Sequence, residues 1–259
     1  MSQKYFMRST AALLLLACAA GGGGIARAQS ANGYPGPQGD TLKSLEQLPD
    51  WSGTFALDVA GHQGSGYADE PNTPQGKAVP LTPKYEYLRA HANMALQPAL
   101  ASCLPAGVPG VMLHTILMEF LLTPGRVTMV FEDGEVRRIY TNLAHHPDLE
   151  AFDQSYEGSS IGHWEGNTLV VDTVSFPKGA LFQNDPLTTT INSHYVERIF
   201  LRDHDHMEID ATLTDPAIFT RPYTTKLTYT RRPDDMVEPE CAATSRDING
   251  TIDLTPPPE

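Results

Sequence analysis

The sequence predicts a mainly β protein whose strands close into an antiparallel barrel, with one or two flanking helices. After about residue 118, short strand-like runs follow one another, making about nine strands in all. The turns between them are short and carry Gly, Pro, Asn or Asp. Helical periodicity is almost absent between these runs, which excludes a parallel sheet built from strand–helix–strand units.

The first 28 residues have the features of a signal peptide. Lys4 and Arg8 precede a short apolar run, and Ala26-Arg27-Ala28 forms a cleavage site of the A-x-A type. We therefore expect cleavage after Ala28 and a periplasmic or secreted protein. The alternative is a lipoprotein modified at Cys18, because Leu15-Leu16-Ala17-Cys18 loosely fits such a site.

The charge of the mature chain limits its partners. Removing residues 1–28 takes away Lys4, Arg8 and Arg27 and no acidic residue, which leaves 15 basic and 31 acidic residues and a net charge of −16. Nucleic acid and anionic membranes attract basic surfaces, so this composition argues against both. No later apolar run is long enough to insert into a membrane as a helix. We expect the partner to be a small molecule. The sequence leaves the oligomeric state of the protein open.

The mature chain reads as one domain with loose ends. Residues 29–50 are rich in Gly and Pro and are expected to form a flexible lead-in. Residues 51–250 are expected to form a single β-barrel domain, and residues 251–259 a disordered tail. A first strand at 51–57 is followed by a helix that begins at Pro83 and runs towards residue 98.

Three hairpin turns organise the later strands: Pro124-Gly125, Asp133-Gly134 and Gly166-Asn167. Strands in this meander order predict a barrel of lipocalin-like or calycin-like architecture, in which a cavity holds one small ligand.

The mature chain keeps two cysteines, Cys103 and Cys241. Two widely separated cysteines in an oxidising compartment predict one disulfide, which would fasten the loop at Cys103 to the last strand.

The hairpin at 160–173 carries several polar side chains among its apolar residues. A two-residue turn at Gly166-Asn167 pairs Glu165 with Thr168, so Trp164, Leu169 and Val171 share one face. His163, Glu165 and Asp172 share the other. The pattern leaves open whether this mixed face points to solvent or into a ligand-lined interior.

A second hairpin predicts a buried charge. If Asp133-Gly134 is a two-residue turn, Arg138 lies on the same face as Val127, Met129 and Phe131. Glu197 likewise shares a face with apolar residues, so we predict an Arg138–Glu197 ion pair. The alternative is that Arg138 meets an anionic or carbonyl group of a ligand.

The nine histidines do not form a metal-binding motif. His145-His146 lies in a loop, and His204-Asp205-His206 is expected to be a solvated turn. Nucleophile, phosphate-binding and dinucleotide motifs are also missing. We therefore predict no metal and no cofactor, which leaves acid–base chemistry as the type of reaction.

Five segments of the chain resemble a known family: CLPAGVP, VRRIYTNLAHHPD, SIGHWEGNTLVVDT, ERIFLRDHDHMEIDATLTDPAIFTRPYT and CAATSRD. In order, over about residues 80–250, they resemble a large, mostly uncharacterised family of exported bacterial proteins. Its signature is Gly-His-Ser-Ile-Gly-x-Trp-Glu-Gly-Asp-Thr-Leu-Val-Val-Asp-Thr, which implies no established activity.

This chain departs from the family pattern at two places. The family's Tyr-Thr-Asp-Gly-Arg-x-His-Pro is replaced at 140–147 by a segment without that Asp and Arg, and Ser159 stands where the family has His. The matching residues include His146, Trp164, Glu165, Asp172, His194, Glu197, Arg198, Asp215 and Pro216.

We interpret the chain as an exported barrel that binds a small organic ligand in its lumen, with aromatic, glycosidic and terpenoid molecules as candidate classes. An acid–base step of a cofactor-independent lyase, isomerase or hydrolase would use His146, Glu165, His194 and Glu197. The expected ligand-binding residues are Arg138, Tyr140, His163, Trp164, Asp172 and Arg198. Two alternatives remain: a non-catalytic periplasmic carrier with the same pocket, and a structural or interaction module of the cell envelope.

Overall fold

The computed structural model describes residues 41–58, 79–91, 105–148, 155–177, 179–181 and 187–237. Helix α1 spans Leu42–Leu45, helix α2 spans Pro83–His91, and a 3₁₀ helix spans Gly110–Leu113. The strands are β1 Thr54–Leu57, β2 Leu117–Thr123, β3 Arg126–Phe131, β4 Val136–Tyr140, β5 Ser159–Glu165, β6 Thr168–Val174, β7 His194–Leu201, β8 His206–Thr214 and β9 Tyr223–Arg232.

Several predicted features fall outside the described residues. They are the signal peptide at 1–28 with Cys18, most of the lead-in at 29–50, the end of the predicted helix after His91, the cysteines Cys103 and Cys241, and the tail at 251–259. None of the helices in the described ranges is long and apolar enough to cross a membrane.

The nine strands form a closed barrel in chain order, which confirms the predicted fold class. The first strand closes it by pairing with β9 as well as with β2. Every neighbouring pair is antiparallel except β4 and β5, which run parallel where Ile139 and Tyr140 meet Ser160 and Ile161. The long connection between these two strands returns the chain to the end where β4 began, and a tight turn could not do this.

Two of the three predicted hairpins have two-residue turns, and the one at Gly166-Asn167 has the predicted register. Thr123 pairs with Arg126, and Glu165 pairs with Thr168, so each turn contains two residues. Gly166 has φ of +61°, as the first residue of such a turn requires.

The register predicted for the third hairpin is wrong by one residue. Val130 pairs with Val136, and Gly134 has φ of +88° at the end of a three-residue loop, Glu132–Gly134. A slip of one residue moves every side chain of the second strand to the opposite face. Arg137 therefore points into the barrel, whereas Arg138 is exposed on the outside.

The barrel interior is filled by inward-facing side chains. Alternate residues along the strands are buried, as period-two patterning requires. Large side chains from seven strands and the 3₁₀ helix are fully buried: Phe55, Met112, Met118, Met129, Ile139, Leu169, Ile199 and Tyr229. A lumen open to a ligand would leave such side chains in contact with water, so the described interior is a packed core.

Two segments close this interior at opposite ends of the β5–β6 hairpin. Near the turn, the Trp51 ring packs edge-to-face against Phe120 at 5.2 Å and against Trp164 at 5.3 Å. Near the open end, the 3₁₀ helix places Met112 inside the barrel, where the Tyr229 hydroxyl donates to the Met112 carbonyl oxygen.

The segment that leads into the 3₁₀ helix is held by a carboxylate. Both oxygens of Glu135 accept backbone N–H groups, one from Ala106 and one from Gly107 at 2.9 Å. Glu157 lies next to Glu135, and both of its oxygens are buried. Burial first, and the Glu135 carboxylate second, raise the pKa of Glu157 well above its usual value.

Candidate functional site

The interior contains a buried ion pair. The Arg137 guanidinium donates from Nη1 to Glu197 Oε1 at 3.0 Å and from Nη2 to Glu197 Oε2, and it also donates to Thr173 Oγ1 at 3.0 Å. Both charged side chains have an exposed fraction of 0%. The predicted Arg138–Glu197 pair is therefore wrong: Glu197 lies on the buried face of β7, as expected, but its partner is Arg137.

The Arg137–Glu197 ion pair is buried, and its two charges compensate each other. Burial alone would lower the pKa of Arg137, but the charge and hydrogen bonds of Glu197 outweigh it and keep the guanidinium ionised. Burial raises the pKa of the neighbouring Tyr195, and the Glu197 charge adds to that effect. Because both Glu197 oxygens are occupied, this carboxylate has no exposed atom with which to meet a ligand.

The hairpin at 160–173 turns its mixed face outward. Leu169 and Val171 are buried, Trp164 packs against the core, and His163 and Glu165 are exposed. Of the two interpretations that the sequence left open, the one with solvent-facing acids is confirmed. Trp164, expected to bind a ligand, helps to fill the barrel instead.

A carboxylate bridges two histidines on this outer face. Asp172 Oδ1 accepts from His146 Nε2 at 2.9 Å, and Asp172 Oδ2 accepts from His194 Nε2 at 2.9 Å. The His146 Nδ1 atom lies 3.0 Å from Ser159 Oγ, and Ser159 is buried. We call His146, Ser159, Asp172 and His194 the Asp172 cluster.

The topology explains why these residues meet. Outward positions alternate along β6, so Asp172 points away from the core between Val171 and Thr173. Asp172 pairs with Val196 on β7, and His194 stands two residues before Val196 on the same face. His146 comes from the loop after β4, which the parallel pairing of β4 and β5 brings over Ser159.

The hydrogen bonds fix the protons of the Asp172 cluster. An ionised carboxylate only accepts, so both histidines carry a proton on Nε2, and in the neutral form of each ring the lone pair is on Nδ1. The lone pair of His146 accepts from the buried Ser159 hydroxyl. His194 is 45% exposed, and its Nδ1 makes no hydrogen bond to any described part of the chain. This lone pair is therefore available to a ligand.

The carboxylate of the cluster is stabilised in its charged form. Partial burial by itself would raise the pKa of Asp172, but the hydrogen bonds from His146 and His194 outweigh it, so the pKa lies below the usual aspartate value. Asp172 is thus an orienting group and a negative charge, and it holds no proton to donate at neutral pH.

A second polar group lies beside this cluster. Glu165 accepts from His163 at 3.2 Å and pairs with Arg198 at 2.9 Å, and all three side chains are about half exposed or more. Such solvated pairs contribute little to stability. The hydrogen bond from Arg198, followed by that from His163, lowers the pKa of Glu165, which favours its ionised form.

Arg198 also borders a shallow depression of about 500 Å³ on the outer face of β7, β8 and β9. Its lining residues include Val196, Arg198, Asp210, Thr212, Thr224 and Lys226. Val196 pairs directly with Asp172, so the depression and the Asp172 cluster are adjacent. We call this feature the outer depression.

The predicted site residues thus separate into groups. His146, Asp172 and His194 come together, and His163, Glu165 and Arg198 lie next to them. Arg138 is exposed on β4, with Tyr140 half-buried on the same strand, while Glu197 and Trp164 belong to the interior.

Sequence reasoning missed four of the residues that surround these groups: Arg137, Ser159, Asp210 and Lys226. If the loop at Asp133-Gly134 had been predicted with three residues instead of two, the alternation along β4 would have placed Arg137 on the inner face. The sequence marks Ser159 only as a departure from the family signature, and its contact with His146 depends on a long loop.

The turn at 204–206 is a solvated surface feature. His204 and His206 contact Asp205 and Asp203 at 2.7 Å, and the hydrogen bond from His206 is the main cause that lowers the pKa of Asp203 to about 2. Within the ranges that the structure describes, no group of three or more His, Cys, Asp or Glu side chains is arranged to hold a metal ion.

No protein-family model matches the chain, and a search among curated proteins finds no match either.

Proposed function

We propose that this barrel is an exported protein that binds a small organic molecule on its outer face and transforms it by cofactor-independent acid–base chemistry. A lyase, an isomerase or a hydrolase would fit this description. The leader pattern at residues 1–28 supports export, and the resemblance to a family of exported proteins agrees with it. The packed interior moves the proposed site from the lumen to the Asp172 cluster.

The bridging carboxylate is the observation that carries this proposal. A histidine oriented by a carboxylate through one nitrogen presents its other nitrogen in a fixed direction, which is the arrangement of an effective general base. His194 is held in this way by Asp172 at 2.9 Å and has its Nδ1 lone pair exposed. His146, which is itself hydrogen-bonded to Ser159, holds the other oxygen of Asp172 in place.

In this proposal His194 removes a proton from the ligand, and Asp172 stabilises the positive charge that develops on the ring. The same imidazolium then returns the proton to the leaving group or to the neighbouring carbon. Positioned general bases of this kind typically accelerate reactions 10²- to 10⁴-fold. Glu197 takes no direct part, because its oxygens are bound to Arg137 inside the barrel.

The test begins with the ligand that the protein carries. Mass spectrometry of the purified protein identifies any bound small molecule, and incubation with that compound measures its turnover. We expect Asp172→Asn to reduce turnover by about 10²- to 10⁴-fold, because the asparagine amide cannot accept from both histidines. His204→Gln changes an exposed histidine in the turn after β7 and serves as the control, with turnover unchanged within about twofold.

Nuclear magnetic resonance of the histidine rings gives a second measurement that needs no substrate. Long-range ¹H–¹⁵N spectra should assign the Nε2-protonated form to both His146 and His194, and Asp172→Asn should alter both rings together. Full turnover by the Asp172→Asn variant, or an Nδ1-protonated His194 in the native protein, contradicts the proposal.

The packed interior favours a second candidate function, a structural or interaction module of the cell envelope. A binding barrel needs room for its ligand, and the inward side chains of this barrel occupy that room themselves. This candidate predicts no bound small molecule and no turnover of any compound. A protein that binds a molecule without changing it would instead be a carrier.

A further inference from the structure

The outer depression gives information about the class of ligand. It lies on two cross-strand rows of outward side chains. Arg198 pairs with Asp210 and Asp210 with Lys226, while Val196 pairs with Thr212 and Thr212 with Thr224. Direct cross-strand neighbours are about 5 Å apart, so one small molecule can contact several members of both rows.

The first row alternates hydrogen-bond donors and an acceptor. Arg198 and Lys226 only donate, whereas the Asp210 carboxylate between them only accepts. In the second row, the hydroxyls of Thr212 and Thr224 make no hydrogen bond to any other described residue. A ligand hydroxyl both donates and accepts, so a molecule rich in hydroxyl groups can satisfy both rows at once.

The charges near the outer depression argue for a neutral ligand. Arg198 is paired with Glu165 at 2.9 Å, and Lys226 is paired with Glu208 at 2.7 Å and with Asp210 at 3.0 Å. An anion would have to displace these carboxylates from a chain whose net charge is already −13. A cation would meet the guanidinium of Arg198 and the ammonium of Lys226.

The volume of the outer depression and the apolar side chain in its lining also agree with a sugar-like ligand. A volume of about 500 Å³ lies in the range of small-molecule sites. Val196 contributes apolar surface on which the C–H groups of a sugar ring can pack. Because Val196 is the cross-strand partner of Asp172, a molecule in the depression has one edge next to the Asp172 cluster.

We propose that the substrate is a neutral, hydroxyl-rich molecule of the glycoside type, held in the outer depression by Arg198, Asp210 and Lys226 with one end directed at His194. This inference rests on the proposed function, because it assigns the substrate class of that site. Asp210 is its binding residue, and it accepts hydrogen bonds from adjacent hydroxyls of the ligand.

The experiment uses phenyl β-D-glycosides of glucose, galactose and xylose as probes, with phenyl β-D-glucuronide and phenol as matched compounds. The glucuronide adds a carboxylate, and phenol lacks the hydroxyls. In ¹H–¹⁵N spectra of the full mature protein, we expect at least one neutral glycoside to shift the Thr212 and Thr224 signals saturably. The glucuronide should bind about tenfold more weakly, and phenol should leave both signals unchanged.

Two variants separate the depression from the surrounding charges. Asp210→Asn should raise the dissociation constant of the neutral glycoside about tenfold, because a charge-assisted hydrogen bond is lost. Glu208→Gln removes another carboxylate that pairs with Lys226, but it lies outside the lining and should change the constant by less than about twofold. Equal losses in both variants, equal binding of the glucuronide, or no saturable shift with any of the three glycosides overturns the inference.

The failure of this inference can be told apart from failure of the proposed function. Asp172→Asn should leave glycoside binding intact while it abolishes turnover. Glycoside binding without turnover of any compound contradicts the proposed function alone. Turnover that is insensitive to Asp210→Asn contradicts the assigned substrate class alone.

Discussion

Arg137 lies in the core, whereas its neighbour Arg138 is exposed to solvent. The length of the preceding loop, three residues instead of two, decides which of the two arginines points inward. The three-residue loop Glu132–Gly134 sets the register of β4, and the register sets which arginine meets Glu197. The buried pair is stable only as a pair, because either charge alone would be isolated in an apolar interior.

This pairing predicts different effects for single and double substitutions. Glu197→Gln leaves the Arg137 charge without its counter-ion and should lower the free energy of unfolding by about 3–5 kcal/mol. The double variant Arg137→Met with Glu197→Leu replaces both charges by apolar groups and should lie within about 1 kcal/mol of the native protein. Urea unfolding followed by circular dichroism measures both.

Arg138→Met is the matched control, because it removes the adjacent but exposed arginine. We expect it to change stability by less than about 0.5 kcal/mol. An effect of Arg138→Met as large as that of Glu197→Gln would show that the register described for β4 is wrong.

Among the elements, the segment before the 3₁₀ helix depends on two neighbouring carboxyl groups. Glu135 holds Ala106 and Gly107 by their N–H groups, and this contact seats Met112 inside the barrel. Ionisation of Glu157 would place a second negative charge in a buried position next to Glu135 and Asp133. Glu157 therefore keeps its proton in the folded state at pH values where an ordinary glutamate has lost it.

This raised pKa predicts how stability depends on pH. Above about pH 4.5, the ordinary glutamate value, the unfolded chain loses the Glu157 proton while the folded chain keeps it. The folded state then binds more protons, so stability must fall as the pH rises towards the pKa of Glu157 in the folded protein. Glu157→Gln removes this dependence and should raise the melting temperature at pH 7 more than at pH 4.

Glu46→Gln provides the control, because it removes an exposed acid at the end of α1. Melting curves at pH 4, 5, 6 and 7 for the three proteins give the comparison. A gain from Glu157→Gln that is the same at every pH would argue against a proton held by Glu157.

In the whole molecule, the segment at Ala106 and the segment at Val237 both contact residues at the β3–β4 loop. The Ala106 N–H donates to Glu135, and the Val237 N–H donates to Glu132 at 3.4 Å. Cys103 precedes Ala106 by three residues and Cys241 follows Val237 by four, and both cysteines lie outside the described residues. The disulfide between them stays a prediction of the sequence.

Such a bond would restrict most of the unfolded chain. The chain-entropy relation gives about 4–5 kcal/mol for a loop of this length, and less is usually realised. We expect a reductant to lower the melting temperature of the mature protein and to leave that of a Cys103→Ser variant unchanged. Two free thiols in the unreduced, unfolded protein would exclude the bond.

The sequence by itself determined the strands, most of their turns and the alternation along each strand. These depend on neighbouring residues: Gly166-Asn167 fixed the register of its hairpin because a two-residue turn leaves no alternative. It also identified Asp172 and Glu197 as polar residues within strand patterns, and the family resemblance identified His146 and His194.

Only the tertiary structure decided which faces point inward and which of these residues meet. Barrel closure selects the more apolar face of each strand for the core, and this choice depends on all nine strands together. The contact of His146 with Asp172 joins the loop after β4 to strand β6, across the parallel pair of β4 and β5. The two residues are far apart in sequence, so patterns of neighbouring residues could not predict this contact. Burial of the more apolar face of β7 placed Glu197 in the core, where Arg137 compensates its charge. The same closure left Asp172 and His194 on the outer face.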